Sequence, residues 1–257
     1  MKQKSFDLLG NIAIVNFNKD VKFKEKKKFA EKILKENHGV KTVLEKISRI
    51  KGRLRKPKTK YLAGEKTKEV LYRENNCVFR FNVDKTYFSP RLSNERKEIS
   101  SKIKKSNNVL VMFAGVAPFS IVIAKNSCAK VYSNEINREA NKYAKLNIEL
   151  NKVKDKIELV SGDIKKIVRK LGKKFDIIIM PRPQLKESFL KQAFKLSKKN
   201  TRIFYYDFCK VGEEKKIIDK IKSEAKKSKK KIKILKTKKA GEIAPYKIRL
   251  RVDLKVC

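Results

Sequence analysis

From Val109 onward the chain alternates short apolar runs with helix-length amphipathic segments, and this alternation restricts the fold more than any other feature. The runs are Val109–Phe113, Ala129–Tyr132, Ile157–Val160, Phe175–Met180 and Thr201–Phe208. The amphipathic segments lie near Phe119–Ser127, Arg138–Leu150, Ile164–Leu171, Leu185–Leu196 and Glu213–Lys227. Short apolar runs suit strands buried on both faces, and parallel neighbours need a crossover long enough to hold a helix. The C-terminal end breaks the pattern, because Lys231–Leu235 and Tyr246–Leu254 have no helix between them. Tyr246, Ile248, Leu250, Val252 and Leu254 alternate with Lys247, Arg249, Arg251 and Asp253, which predicts a strand with one wet face. The expectation is an α/β fold: a mostly parallel seven-stranded sheet closed by an antiparallel hairpin.

Residues 1–100 read as a smaller α+β domain and 101–257 as the sheet domain. In the front part, Asn11–Phe17, Val40–Ile47, Glu69–Arg73 and Cys77–Val83 are strand candidates, Lys24–Glu36 is a lysine-rich helix, and a further helix is expected over 94–104. The basic stretch Arg49–Lys60, with Gly52 and Pro57, reads as an exposed turn or loop.

Charge narrows the partners. The 257 residues carry 69 Lys+Arg against 27 Asp+Glu, a formal charge of +42. Self-repulsion of that size is best tolerated beside a polyanion, so RNA or DNA is the expected partner; a lysine-biased proteome or a salty or hot cytoplasm is the alternative. No run is long and apolar enough for a membrane-spanning helix, and the first ten residues lack a secretory layout, so a cytoplasmic protein without membrane contact is expected. Cys77, Cys128, Cys209 and Cys257 are scattered with no CxxC pair, so neither a metal site nor a disulfide framework is expected.

Ligands of open α/β sheets bind at the carboxyl ends of the strands, where small-residue turns let backbone amides approach. After the first parallel strand comes Phe113-Ala114-Gly115-Val116-Ala117-Pro118-Phe119, a strand, tight turn and helix in that order. The second strand ends at Glu135-Ile136-Asn137, about twenty residues downstream of the turn, the spacing at which a carboxylate holds ribose hydroxyls. Glu135 is therefore a ribose-ligand candidate, with capping of the following helix as the alternative. Asp163, at the end of the third strand, can accept an adenine amine with Ile164 over the ring, or cap its helix. Pro181-Arg182-Pro183 makes a rigid exit from the fourth strand, which offers Arg182 to a phosphate or substrate or is simply a stiff turn.

Five strand-helix units and a terminal hairpin match the class I, Rossmann-like sheet of most S-adenosylmethionine-dependent methyltransferases. Four segments go further: Lys60-Tyr-Leu-Ala-Gly-Glu65, Lys85-Thr-Tyr-Phe-Ser-Pro-Arg-Leu-Ser-Asn-Glu-Arg96, Met112-Phe-Ala-Gly-Val-Ala-Pro-Phe-Ser-Ile121 and Asn147-Ile-Glu-Leu-Asn-Lys-Val153. In this order they resemble the archaeal and eukaryotic tRNA (guanine37-N1)-methyltransferases, from about residue 5 to the end.

That resemblance implies methyl transfer from S-adenosylmethionine to N1 of the guanine beside the anticodon, by a monomer whose front domain helps bind tRNA. It puts the catalytic pair at Arg55 and Glu95. N1 of guanine carries a proton that must leave as the methyl arrives, which a carboxylate can take, while a guanidinium stabilises charge moving to O6. It also puts Phe113, Glu135 and Asp163 at the cofactor-contacting positions, and the turns around them add Gly115, Ala117, Pro118, Ile136, Ile164 and Pro181 as expected cofactor neighbours. Arg91, Arg96, Arg182 and Tyr246 fall on the substrate side, Arg91 and Arg96 contacting RNA or holding the domains together. The chain departs from the family pattern at Val111, Ala117 and Pro181, and the small leading domain of many members is not expected. A wybutosine-pathway aminocarboxypropyl or methyl transferase, or a tRNA-binding relative with impaired catalysis, are the alternatives.

Overall fold

The computed structural model describes residues 6–18, 20–47, 57–181 and 187–257. The front of the chain forms a four-stranded sheet of order β1-β2-β3-β4, made of β1 (Phe6–Leu9), β2 (Ile12–Val15), β3 (Thr42–Lys46) and β4 (Thr59–Gly64). Helix α1 (Phe23–Glu36) carries the chain from β2 to its parallel neighbour β3. It buries Ala30 and Ile33 against Ala13, Val15, Val43 and Leu62, and Lys26 turns inward to pair with Glu45 of β3 at 2.6 Å. The sequence pattern missed β1 and β4. β4 occupies the end of the stretch read as a basic loop, and positions 49–56 of that stretch, Arg55 included, lie outside the described residues.

The hairpin β5 (Glu69–Glu74) and β6 (Cys77–Asn82) extends neither sheet. Its free edge is satisfied by side chains of α4 (Arg138–Leu150) and the residue that follows it. Asn147 accepts from Arg80 N at 2.7 Å and donates to Arg80 O at 3.1 Å; Asn151 accepts from Val78 N at 2.9 Å and donates to Val78 O at 2.7 Å. Four residues of helix rise about 6 Å and two of strand about 6.6 Å, so the two amides match alternate peptide groups. The Asn147–Val153 motif is thus a clamp that replaces a strand neighbour.

The large sheet has the order β12-β13-β11-β10-β7-β8-β9, from β7 (Asn108–Met112), β8 (Lys130–Glu135), β9 (Ile157–Ser161), β10 (Phe175–Met180), β11 (Ser197–Lys210), β12 (Ile232–Ala244) and β13 (Lys247–Val256). β7 to β11 are parallel; β13 runs antiparallel to β11 and β12. The strand-helix alternation and the closing hairpin are as the sequence predicts. Helices α3 (Pro118–Ser127) and α4, with the β5–β6 hairpin, cover one face; α6 (Leu190–Leu196) and α7 (Glu214–Lys227) cover the other. The segment expected to be helical over 164–171 is helical only over α5 (Ile164–Ile167), and α6 starts later than expected.

One expectation is overturned. The polar side of β13 is not wet: Arg249 is 8 %, Arg251 0 % and Asp253 4 % exposed. Pairing with β12 and β11 covers the edges of β13, and packing covers its faces: Ile217, Ile221 and Ala225 lie in one core with the apolar side, and α2 (Ser93–Ser100) covers the charged one through ion pairs from Glu98 and Glu95 to Arg251. α2 also packs on α3, so a division at residue 100 separates α2 from the sheet it covers. Among the described residues no helix is long and apolar enough to cross a membrane, and no cluster of three or more His, Cys, Asp or Glu can hold a metal ion. Cys77 and Cys209 are buried thiols; Cys128 and Cys257 are exposed.

Candidate active site at the carboxyl ends of the parallel strands

The strand order reverses direction at β7, whose successor β8 lies on one side while β10 lies on the other. Ligands of doubly wound sheets sit in the crevice so made. Phe113, Gly115, Glu135, Ile136, Asp163 and Pro181 all stand half-buried at the carboxyl ends of β7, β8, β9 and β10. Ala117, Pro118 and Ile164 are buried behind them.

The turn after β7 takes three left-handed residues: Phe113 (φ 58°), Gly115 (φ 59°) and Ala117 (φ 67°). Left-handed backbone costs an ordinary residue about 1–2 kcal/mol, so Ala117 holds a conformation that glycine takes freely. Pro118 opens α3, where its missing N–H costs nothing. Glu135 reaches back to the turn: Oε2 accepts from Gly115 N at 2.8 Å and Oε1 from Asn137 N at 2.7 Å. The cap of α4 is Asn137, which accepts from Glu139 N, so the capping role considered for Glu135 belongs to its neighbour. Asp163 caps α5 through Lys165 N at 3.0 Å. Asn134 fixes the loop between them, donating to Val160 O at 2.8 Å and Gly162 O at 3.0 Å. Sequence reading missed Asn134; a polar residue inside a buried strand is the signal that marks it.

A cavity of about 720 Å³ opens on the far side of Tyr87, whose carbonyl oxygen faces the Gly115 turn, and none of the crevice residues named above lines it. Its walls come from the front sheet (Leu8, Lys46), the connecting segment (Thr86–Arg91) and the end of the large sheet (Phe208, Lys247, Arg249). That volume is the size of a nucleotide site. Arg91 lies on its wall and is largely exposed, 3.6 Å from Asp7, a surface pair of small energetic weight.

Arg96 does something else. At 1 % exposure it is enclosed, paired through two nitrogens with Glu74 and donating to Ser89 O at 3.0 Å, its guanidinium between the rings of Phe88 and Phe119. Of the two roles considered, it joins the hairpin to α2 and presents no surface to RNA. Phe88 stacks on Phe81 at 4.7 Å, so half of the Tyr87–Arg96 motif is architecture. Tyr246 stands 84 % exposed at the turn between β12 and β13, with φ 57°. Arg182 lies outside the described residues.

Glu95 is 4 % exposed and does not line the cavity. It follows the Tyr87–Arg91 wall by one helical turn and points at the sheet. Oε2 accepts from Tyr206 Oη at 2.8 Å and Arg251 Nη1 at 2.7 Å, and Oε1 lies 2.9 Å from Lys238 Nζ. Burial works to raise its pKa, but the hydrogen bonds from Lys238 and Tyr206 and the charge of Arg251 outweigh it and hold the carboxyl below its ordinary value.

Comparison with known proteins agrees with this geometry. Residues 70–235 match the TRM5/TYW2 methyltransferase domain and residues 2–67 the TYW2 N-terminal domain. The tRNA (guanine(37)-N(1))/4-demethylwyosine(37)-methyltransferase Taw22 of Nanoarchaeum equitans is 39% identical over 85% of this chain and 71% of its own. The crystal structure of Trm5b from Pyrococcus abyssi superposes with a TM-score of 0.87 at 34% identity, covering 98% of this chain and 74% of that one. The complex of aTrm5 with tRNALeu gives 0.84 at 30% identity, covering 98% and 72%. With its strand order, its small-residue turn and these matches, the chain belongs to the TRM5/TYW2 methyltransferase family.

Proposed function

We propose that this protein methylates N1 of guanosine 37 in tRNA, with S-adenosylmethionine as donor, Glu95 as general base and Arg55 stabilising charge on O6. The observation that carries the proposal is the nucleotide-sized cavity between the front sheet and the carboxyl end of the large one, walled by the Tyr87–Arg91 segment that runs directly into Glu95. Relatives of 34–39% identity named as guanine37-N1 methyltransferases support the position and the base.

The residues at the strand ends fit the cofactor. The Gly115 turn has no room for bulk, since a Cβ there would lie 3.3 Å from Tyr87 O, and Glu135 already places a carboxylate against its amide. S-adenosylmethionine supplies an electrophilic methyl group when bound. Glu135 would hold the ribose hydroxyls and Asp163 the adenine amine, with Ile136 and Ile164 against the ring and Phe113, Ala117, Pro118 and Pro181 along the rest. Glu95 takes the N1 proton on Oε1, and its low exposure means that the Tyr87–Arg91 wall or the Lys238 side chain shifts to admit the base. Arg91 and Tyr246 meet RNA at the rim. The front sheet assists tRNA binding.

The Taw22 relative, whose name covers both guanine37 and 4-demethylwyosine, favours a second reading in which the tricyclic base is also methylated. Mass spectrometry of nucleosides after incubation of protein and S-adenosylmethionine with unmodified tRNA transcript tests the first reading, and the same assay on tRNA carrying 4-demethylwyosine at position 37 tests the second. 1-Methylguanosine at position 37 is expected. An aminocarboxypropyl adduct, or no product, would refute the proposal.

A further inference from the structure

The terminal hairpin delivers a charge cluster to the proposed base. Three carboxylates (Glu95, Glu98, Asp253) face three cations (Lys102, Lys238, Arg251) between α2, β12 and β13, and Tyr206 closes the cluster from β11. Arg251 is the hub, 2.7 Å from each of Glu95, Glu98 and Asp253. Lys102 lies 2.7 Å from Glu98 and 3.8 Å from Asp253, and Lys238 bridges Glu95 and Glu98.

An ionised carboxylate offers about four lone-pair sites, two on each oxygen. Among the described residues Oε2 of Glu95 uses both, on Tyr206 and Arg251, whereas Oε1 uses one, on Lys238. One site is left, on the oxygen beside Lys238. Lys238 is also the least buried member of this shell, with 36% of its side chain exposed against 0% for Arg251. The two cations therefore differ: Arg251 is fixed inside the sheet, while Lys238 is open to solvent on one side.

We infer that Lys238 is a positioning residue for methyl transfer: Arg251 and Tyr206 lock Oε2, and Lys238 aims Oε1 and sets how readily it takes the N1 proton. The inference rests on the assignment of Glu95 as base. An ammonium at 2.9 Å lowers the proton affinity of Oε1 by Coulomb attraction and so weakens it as an acceptor while it stays in place. Its exposed stem lets it swing aside as the nucleobase enters, which strengthens the base at that moment.

Carboxyl ¹³C NMR of the full chain, with the Glu95 signal assigned by its loss in Glu95→Gln, tests the electrostatic part. In Lys238→Gln the Glu95 titration midpoint should rise by about one pH unit, while Lys233→Gln, an exposed change on the same strand, should leave it alone. A midpoint unmoved in Lys238→Gln overturns the inference. The acid limb of the single-turnover methylation rate should move up with the NMR midpoint. If the carboxyl moves and the limb does not, Glu95 is not the base, and the catalytic part of the inference falls with that assignment.

Discussion

Arg251 Nη1 and Glu95 Oε2 meet at 2.7 Å across 156 positions of sequence, buried between the closing hairpin and the helix that leads in from the front sheet. Removing Arg251 takes from Glu95, Glu98 and Asp253 the buried cation they share, which is far costlier than any one pair's net worth, whereas Glu95→Gln leaves Arg251 paired with Glu98 and Asp253. The contact ties the candidate base to the last strand of the fold, so the integrity of the C terminus and the chemistry of the site are linked.

The cluster predicts an acid-sensitive fold. Hydrogen bonding from Arg251, working against burial, holds Glu98 well below the ordinary carboxylate range, with Lys102 and Lys238 adding to it; Glu95 is lowered as well. Groups whose folded pKa lies below the unfolded value, about 4.3 for Glu, contribute stability that is complete above roughly pH 5 and lost as pH falls toward the folded pKa. Melting temperatures measured from pH 7 to pH 3 should drop below about pH 4.5, and the acid slope should be shallower in Glu98→Gln.

Ala117 sits at φ 67° with no exposure. Ala117→Gly removes left-handed strain at some cost in unfolded-state entropy, so denaturant midpoints should show a gain of up to about 1 kcal/mol. Ala117→Val, branched at Cβ in the same conformation and enclosed, should lose more than about 2 kcal/mol.

The asparagine clamp predicts a larger loss. Asn147→Ala strands an N–H and a C=O of Arg80, and Asn151→Ala does the same at Val78. Each should destabilise the chain by about 2–4 kcal/mol in urea melts, given about 1–3 kcal/mol per unsatisfied buried group.

The repeating strand-helix pattern was legible because burial on both faces leaves continuous apolar runs, and the carboxyl-end residues followed from where such runs stop. β1 and β4 were not legible: β1 exposes Asp7 and Leu8, and β4 emerges from a basic stretch whose charges mask its alternation. The Lys247–Asp253 alternation signalled a strand and misled about water, since periodicity separates two faces but does not say what covers them. Buried charges such as Arg251 and Asp253 look like surface residues until their partners, far away in sequence, are known.

Affinity for tRNA should respond steeply to salt. If the rim and front sheet contact six or more phosphates, binding weakens by about 10³-fold or more between 50 and 200 mM monovalent salt. Fluorescence anisotropy across that range would show it, and a flat response would remove the polyanion account of the +42 charge.

The role of Glu95 is tested most directly by single-turnover methylation of tRNA transcript by Glu95→Gln. Loss of the general base should slow the chemical step by about 10²–10⁴-fold, with tRNA affinity nearly unchanged because the side chain is buried away from the rim. A single-turnover rate within about threefold of wild type would contradict the account.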